Sequence, residues 1–343
     1  MRRLLTPAFL LTLGLLILGE VGARLFFAHS VSGRFEYGFS LDAGFMEHPD
    51  GRVELVMAGG RRFLPQSFQR KRPPGVFRVF VIGDSVTRGP SLKQAYPWFL
   101  QEELQRQGID AEVLNLGVAG NGARRSRLIF LKILDYDPSL IVLHVNNSNE
   151  YEDEREYRRA QEFKGWHPRH WPMKVFIFRR LYEAKMEKLL WRLVPQTIRQ
   201  RFAVNDADAE VAASQNPEKW QQWQRLVAEV TSANVALARE LRVPLILLTQ
   251  CRLDAQGSNP ARLTDEGLDE MARNLAGRAG VLHLSLKELF APLDFKDYFQ
   301  DSSHLKPAGH QLLARALAEK VGEILAQSGG AHRVSSASPG RPE

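Results

Sequence analysis

A single cysteine, Cys251, in 343 residues leaves no partner for an intrachain disulfide. It does not fix the compartment, since a reducing cytosol and a disulfide-poor periplasm both fit. The net charge is +7, yet there is no zinc finger, RNA-recognition signature or basic zipper, and nucleic acid is not an expected partner. No G-x-x-x-x-G-K-[ST] loop occurs and no G-x-G-x-x-G follows a strand, so no cofactor is expected. His167 and His170 in "WHPRH" have no cysteine or clear carboxylate pair beside them, and Pro168 disrupts helical geometry between them. A metal is not expected either. No internal repeat is present.

Long uncharged runs are scarce as well. After Arg2 and Arg3 the chain carries no charge from Leu4 to Gly19, a little short of the ~20 residues that span a bilayer. Continuing to Phe27 reaches a full span if Glu20 and Arg24, at i, i+4, pair on one helical face. The expectation is a signal anchor over residues 1–27, with the rest of the chain on the periplasmic or extracellular side. A cleaved signal ending at "VGA" is the alternative. Two basic stretches, "RRFLPQSFQRKR" (61–72) and 155–201, are a solvated surface or an attraction to anionic headgroups or an acidic polymer.

With 44% hydrophobic and 25% charged residues the chain is globular. Residues 28–75 read as a β-rich or irregular lead-in, with Pro73-Pro74 marking entry to the main domain, 76–326. There the pattern alternates. "VFRVFVIG", "AEVLNLGV", "SLIVLHV", "VPLILLT" and "GVLHLSL" are strands, and amphipathic helices lie between them. Residues 151–220 break the rhythm and read as a helical insertion or lid, while 327–343, rich in Ser, Gly and Pro, read as a disordered tail. Near-continuous apolar strands separated by helices predict an α/β fold, a three-layer α/β/α sandwich around a central parallel sheet. Ligands of such sheets bind beyond the carboxyl ends of the strands. Three polar segments fall there: Gly83-Asp84-Ser85, Asn115 to Gly122, and Asn146 to Glu150.

A serine hydroxyl becomes a nucleophile when a base accepts its proton and a third group orients that base. In "DYFQDSSHLKPAGH", Asp301 and His304 stand three apart, so one turn brings the carboxylate to Nδ1–H and leaves Nε2 free. Taken alone, the pair is a weak signal and reads as an Asx turn beside a helix-capping histidine. Donors for a developing oxyanion are available in Ser85 N–H, Gly120 N–H and the Asn149 side chain.

These four segments, in this order, resemble the SGNH/GDSL hydrolase superfamily over roughly residues 76 to 325. "IGDSVTRG" matches its first block, "NLGVAGNG" its second, "NSNE" its third and "DSSH" its last. The resemblance implies a flavodoxin-like sandwich and a serine esterase. Ser85 is then nucleophile and first oxyanion donor, His304 base, Asp301 its partner, and Gly120 and Asn149 the other donors. The substrate would be a small-molecule, lipid or glycan ester. Two positions depart from the family pattern: Asn147 stands where glycine is usual and Glu150 where aspartate is usual. The G-x-S-x-G elbow of classical lipases is absent, since Val86-Thr87 follow Ser85. A polysaccharide O-acetyltransferase or deacetylase using the same site, and a non-catalytic envelope scaffold retaining the fold, are the other readings.

Overall fold

The computed structural model describes residues 7–27, 44–55, 63–147, 149–165, 175, 193–201, 216–252, 265–277 and 281–327. In chain order these form α1 (Pro7–Phe27), the short strands β1 (Phe45–Glu47), β2 (Arg52–Leu55) and β3 (Ser67–Gln69), then β4 (Phe77–Gly83), α2 (Ser85–Arg88), α3 (Tyr96–Arg106) and β5 (Ala111–Gly117). They continue with α4 (Ala123–Ile133), β6 (Leu140–Val145), α5 (Glu150–Lys164), α6 (Gln196–Arg201), α7 (Pro217–Glu240), β7 (Leu245–Thr249) and α8 (Asp265–Ala276). The last are β8 (Val281–Ser285), α9 (Leu286–Phe290), α10 (Phe295–Tyr298) and α11 (Pro307–Gln327).

Strands β4 to β8 form one parallel sheet in the order β5-β4-β6-β7-β8. Every residue of β4, β6 and β7 is buried, which is why their sequences are apolar runs rather than alternations. Alternate side chains serve opposite faces. Phe80, Ile82, Ile141, Leu143 and Leu247 pack against α4, α7 and α8 through Ile129, Phe130, Val235 and Leu268. Val79, Val81, Leu140, Val142 and Ile246 pack against α3, α9 and α11 through Leu100, Leu104, Phe290, Leu313 and Leu317. The result is the three-layer α/β/α sandwich that the strand-helix alternation predicts.

Ahead of it, β1, β2 and β3 form a small antiparallel sheet. It is not a loose lead-in: Phe45, Val53, Leu55 and Phe68 join the same core as Phe80 and Tyr136. The fully buried Arg78 of β4 fastens the two sheets. Its guanidinium pairs with Glu112 at 2.6 Å and donates to the carbonyls of Gln69 at 2.9 Å and Tyr136 at 2.9 Å.

The chain order of the sheet reverses between β4 and β6, the place where open α/β sheets leave a crevice for ligands. The segments after β4, β5 and β6 all open there. Among the described residues no helix is long and apolar enough to cross a membrane. In α1 the uncharged part runs only from Pro7 to Gly19 before Glu20 and Arg24 intervene. That part rises about 20 Å, against a hydrocarbon core of about 30 Å. Most of the 151–220 insertion, His167 and His170, and nearly all of the 327–343 tail lie outside the described residues.

Candidate active site

The turn that carries Ser85 is built by close approach. Strand β4 ends at Gly83, Asp84 caps the next turn by accepting from Val86 N–H at 2.9 Å, and Ser85 is the first residue of α2. A Cβ on Gly83 would lie 2.0 Å from Thr87 Oγ1 and 2.9 Å from the His144 Cβ, and one on Gly117 would lie 2.1 Å from Arg88 N. Glycine at both strand ends therefore lets α2 sit directly on β5 and β6. The turn is pinned from below by Thr87, whose hydroxyl meets Tyr96 Oη at 2.9 Å and His144 Nδ1 at 3.0 Å. Burial lowers the pKa of His144, so this anchor carries a neutral imidazole.

Facing the turn is the loop ahead of α11. A bridge between Phe299 and Leu305, with Gln300 N donating to His304 O at 2.8 Å, folds residues 299–305 back on themselves. His304 Nε2 reaches Ser85 Oγ at 2.9 Å, and His304 Nδ1 meets Asp301 Oδ2 at 2.7 Å. The other Asp301 oxygen accepts from the N–H groups of Ser303 at 2.9 Å and His304 at 2.8 Å. The two readings of Asp-x-x-His are thus one geometry: Oδ1 makes the Asx turn while Oδ2 orients the imidazole. Partial burial pushes the Asp301 carboxyl upward, but the His304 and Ser303 N–H groups and the imidazole outweigh it. Its pKa is held below the ordinary value, which keeps the acceptor ionised and the proton on Nδ1.

The two other candidate donors, Gly120 and Asn149, lie in the loops after β5 and β6. Gly120 has φ +67°, a left-handed conformation that favours glycine. Asn149 is the residue before α5, and its Nδ2 donates to Asp84 Oδ2 at 2.9 Å and lies 3.5 Å from Asn121 O. Asp84 therefore touches both halves of the site, one oxygen on the nucleophile turn and the other on Asn149. Asn121 adds a strut, donating from its side chain to Gly83 O at 2.9 Å and Ser126 Oγ at 3.0 Å.

The two departures from the family pattern have physical explanations. Glu150 is fully buried and accepts from Ala123 N–H at 2.8 Å, while Asp153 accepts from Gly122 at 3.3 Å and Arg124 at 3.2 Å. Together they satisfy the first N–H groups of α4. Burial raises both carboxyl pKa values, Glu150 further through the Asp153 charge. Glu150 is thus a helix-capping group, not part of the pocket wall. Asn147 accepts from Arg252 at 3.2 Å, a contact glycine could not make.

A cleft of about 210 Å³ opens over the Ser85–His304 pair, walled by Arg88, Pro90, Gln300 and His310. His310 is six residues past the base on the same motif, and no sequence argument marked it out. Nor did one mark Thr87 or His144. Among the described residues no group of three His, Cys, Asp or Glu side chains is placed to hold a metal ion.

A family model described as the GDSL-like Lipase/Acylhydrolase family matches residues 81–312. No curated protein matches the chain. Solved structures that resemble it include the acetyl xylan esterase AlAXEase, at 16% identity over 71% of this chain and 99% of that one, with a TM-score of 0.42. A catalytic mutant of Axe2, an acetylxylan esterase from Geobacillus stearothermophilus, gives 15%, 71%, 94% and 0.44. LAE5, an alpha/beta hydrolase enzyme from the metagenome of Lake Arreo, Spain, gives 15%, 72%, 95% and 0.42. Likenesses this distant carry no argument about substrate.

Proposed function

The chain belongs to the GDSL-like lipase/acylhydrolase family and is a hydrolase of ester bonds, and from that premise we propose that Ser85, His304 and Asp301 are its catalytic residues. The observation that supports this most is the continuous chain Ser85 Oγ–His304 Nε2 at 2.9 Å and His304 Nδ1–Asp301 at 2.7 Å, made by residues 219 positions apart.

In this mechanism Ser85 Oγ attacks the ester carbonyl carbon and His304 Nε2 takes the hydroxyl proton. Asp301 steadies the imidazolium. The carbonyl oxygen, now an oxyanion, is held by Ser85 N–H, Gly120 N–H and Asn149 Nδ2. Collapse of the intermediate breaks the bond to the alcohol oxygen, which leaves with the proton from His304. Water then adds to the acyl-serine with His304 again as base, releasing the acid and restoring Ser85 Oγ–H.

Hydrolysis is favoured over transfer to another alcohol by the openness of the base. The His304 side chain is 43% exposed, so water has direct access to it. Hydrolysis of p-nitrophenyl acetate tests the reading: Ser85→Ala and His304→Ala should each lower kcat by at least about 10³, the scale seen when one member of such a triad is removed. Activity of the Ser85→Ala variant equal to wild type would end it.

Action at the cell envelope is part of the proposal. Its support is the basic start Arg2-Arg3 followed by the apolar Leu4–Gly19 run. Fractionation of cells expressing the full chain checks it: activity confined to the soluble cytoplasmic fraction would contradict it.

A further inference from the structure

The cleft over Ser85 holds a second histidine that the mechanism leaves unused. His310 lies in the first turn of α11, is 1% exposed, and lines the cleft together with Ser85 and His304. Its ring is fixed on both sides. It stacks on Tyr96 with centroids 6.1 Å apart and an interplanar angle of 20°, and its Nδ1 accepts from the Tyr96 backbone N–H at 3.2 Å. A neutral imidazole has one acceptor nitrogen and one donor nitrogen, so this contact places the ring proton on Nε2. Nε2 is not among the buried polar atoms left without a partner, which fits a nitrogen open to the cleft.

The two sides of the reacting carbon take different parts of the ester. The carbonyl oxygen turns toward Ser85 N–H, Gly120 and Asn149. The alcohol oxygen must lie on the side of His304, because His304 hands it the proton as it leaves. The cleft walled by His304, Gln300 and Arg88 is therefore the seat of the alcohol half, and His310 forms part of its floor.

Building on the assignment of Ser85 and His304, we propose that His310 Nε2–H is a fixed substrate-binding donor that donates a hydrogen bond to an oxygen carried by the alcohol half of the ester, beyond the scissile oxygen. His310 is not a second base. Its acceptor nitrogen is occupied by Tyr96, and burial, with the neighbouring His144 and His304, brings its pKa down to about 4. The neutral ring offers a hydrogen bond without a charge, so the favoured alcohol is uncharged but oxygen-bearing. An alcohol with only CH₂ at that place would leave the N–H without an acceptor once water is displaced, and such mismatches are discriminated strongly.

The test uses two acetates of equal length, 2-methoxyethyl acetate and butyl acetate, which differ by an ether oxygen in place of a methylene. Wild type should prefer the ether-bearing ester by at least about tenfold in kcat/KM, the scale of one buried hydrogen bond. In His310→Asn the amide oxygen can still accept from Tyr96 N–H, but no donor reaches the cleft, and the preference should fall to near unity. In His310→Gln a donor lies near the place of Nε2, and part of the preference should return. A structural role alone would lower both esters together and leave the ratio unchanged.

A wild-type ratio near one overturns the proposal whatever the variants do, so it stays testable even if His310→Asn fails to fold. An unchanged ratio in a folded His310→Asn overturns it too. Should wild type cleave neither these esters nor p-nitrophenyl acetate, the assignment of Ser85 and His304 falls first and this one with it. Cleavage of both acetates without preference removes only the role of His310.

Discussion

The side-chain amide of Asn149 donates to the Asp84 carboxylate at 2.9 Å, so the residue beside Ser85 holds a candidate donor contributed by another strand end. Asp84 also caps the nucleophile turn through Val86 N–H at 2.9 Å. A single buried carboxylate thus sets the distance between the attacking oxygen and one candidate oxyanion donor.

That tether predicts coupling. Asp84→Asn keeps an oxygen to cap Val86 but turns an amide toward Asn149 or loses the contact. Its kcat should fall about 10²-fold with little change in KM, as for a misplaced catalytic group. Asn149→Ala should cost about 10²–10³ in kcat. Combining the two should cost no more than Asn149→Ala alone, because both remove one arrangement. Steady-state kinetics of the three variants on p-nitrophenyl acetate check this, and losses that multiply would contradict it.

Gly83→Ala should destabilise the whole domain. The added methyl would meet Thr87 Oγ1 at 2.0 Å, Thr87 Cβ at 2.8 Å and His144 Cβ at 2.9 Å, none of them the far end of a long side chain. Overpacking of this kind costs about 1–3 kcal/mol, and here at least the upper end is expected. Urea unfolding at pH 7 reads it out.

Acid should weaken the fold through His310. Its folded pKa is about 4, below the ordinary histidine value of 6.5. Above the unfolded value neither state binds the proton. As pH falls below it the unfolded chain protonates first, and stability is lost down to the folded pKa. Between pH 7 and pH 4 wild type should lose roughly 3 kcal/mol more than His310→Asn, which lacks the titrating ring. Paired urea melts at the two pH values measure the difference.

How far the sequence reaches is clearest at Ser85, Asp301 and His304. A serine after an apolar strand and an Asp-x-x-His before a final helix are each ambiguous alone and become legible when the four segments are set in order. The structure brings them within 2.9 Å and 2.7 Å of one another. The parallel sheet was equally readable, because strands buried on both faces lose their alternation. Asp84 was not. Its cap on Val86 is local, but its tether depends on Asn149 being near, 65 positions away. Likewise Glu150 looked like a change in the pocket because its target, the start of α4, lies 27 positions back. His310 stayed hidden because a histidine one turn into a helix reads as surface until the cleft above it is known.

The central claim is that Ser85 is a nucleophile activated by His304. Treatment of the folded protein with a fluorophosphonate, followed by peptide mapping, tests it most directly. The account predicts one adduct on the peptide carrying Ser85, formed far more slowly in His304→Ala. No adduct, or one on another serine with Ser85 untouched, would contradict it.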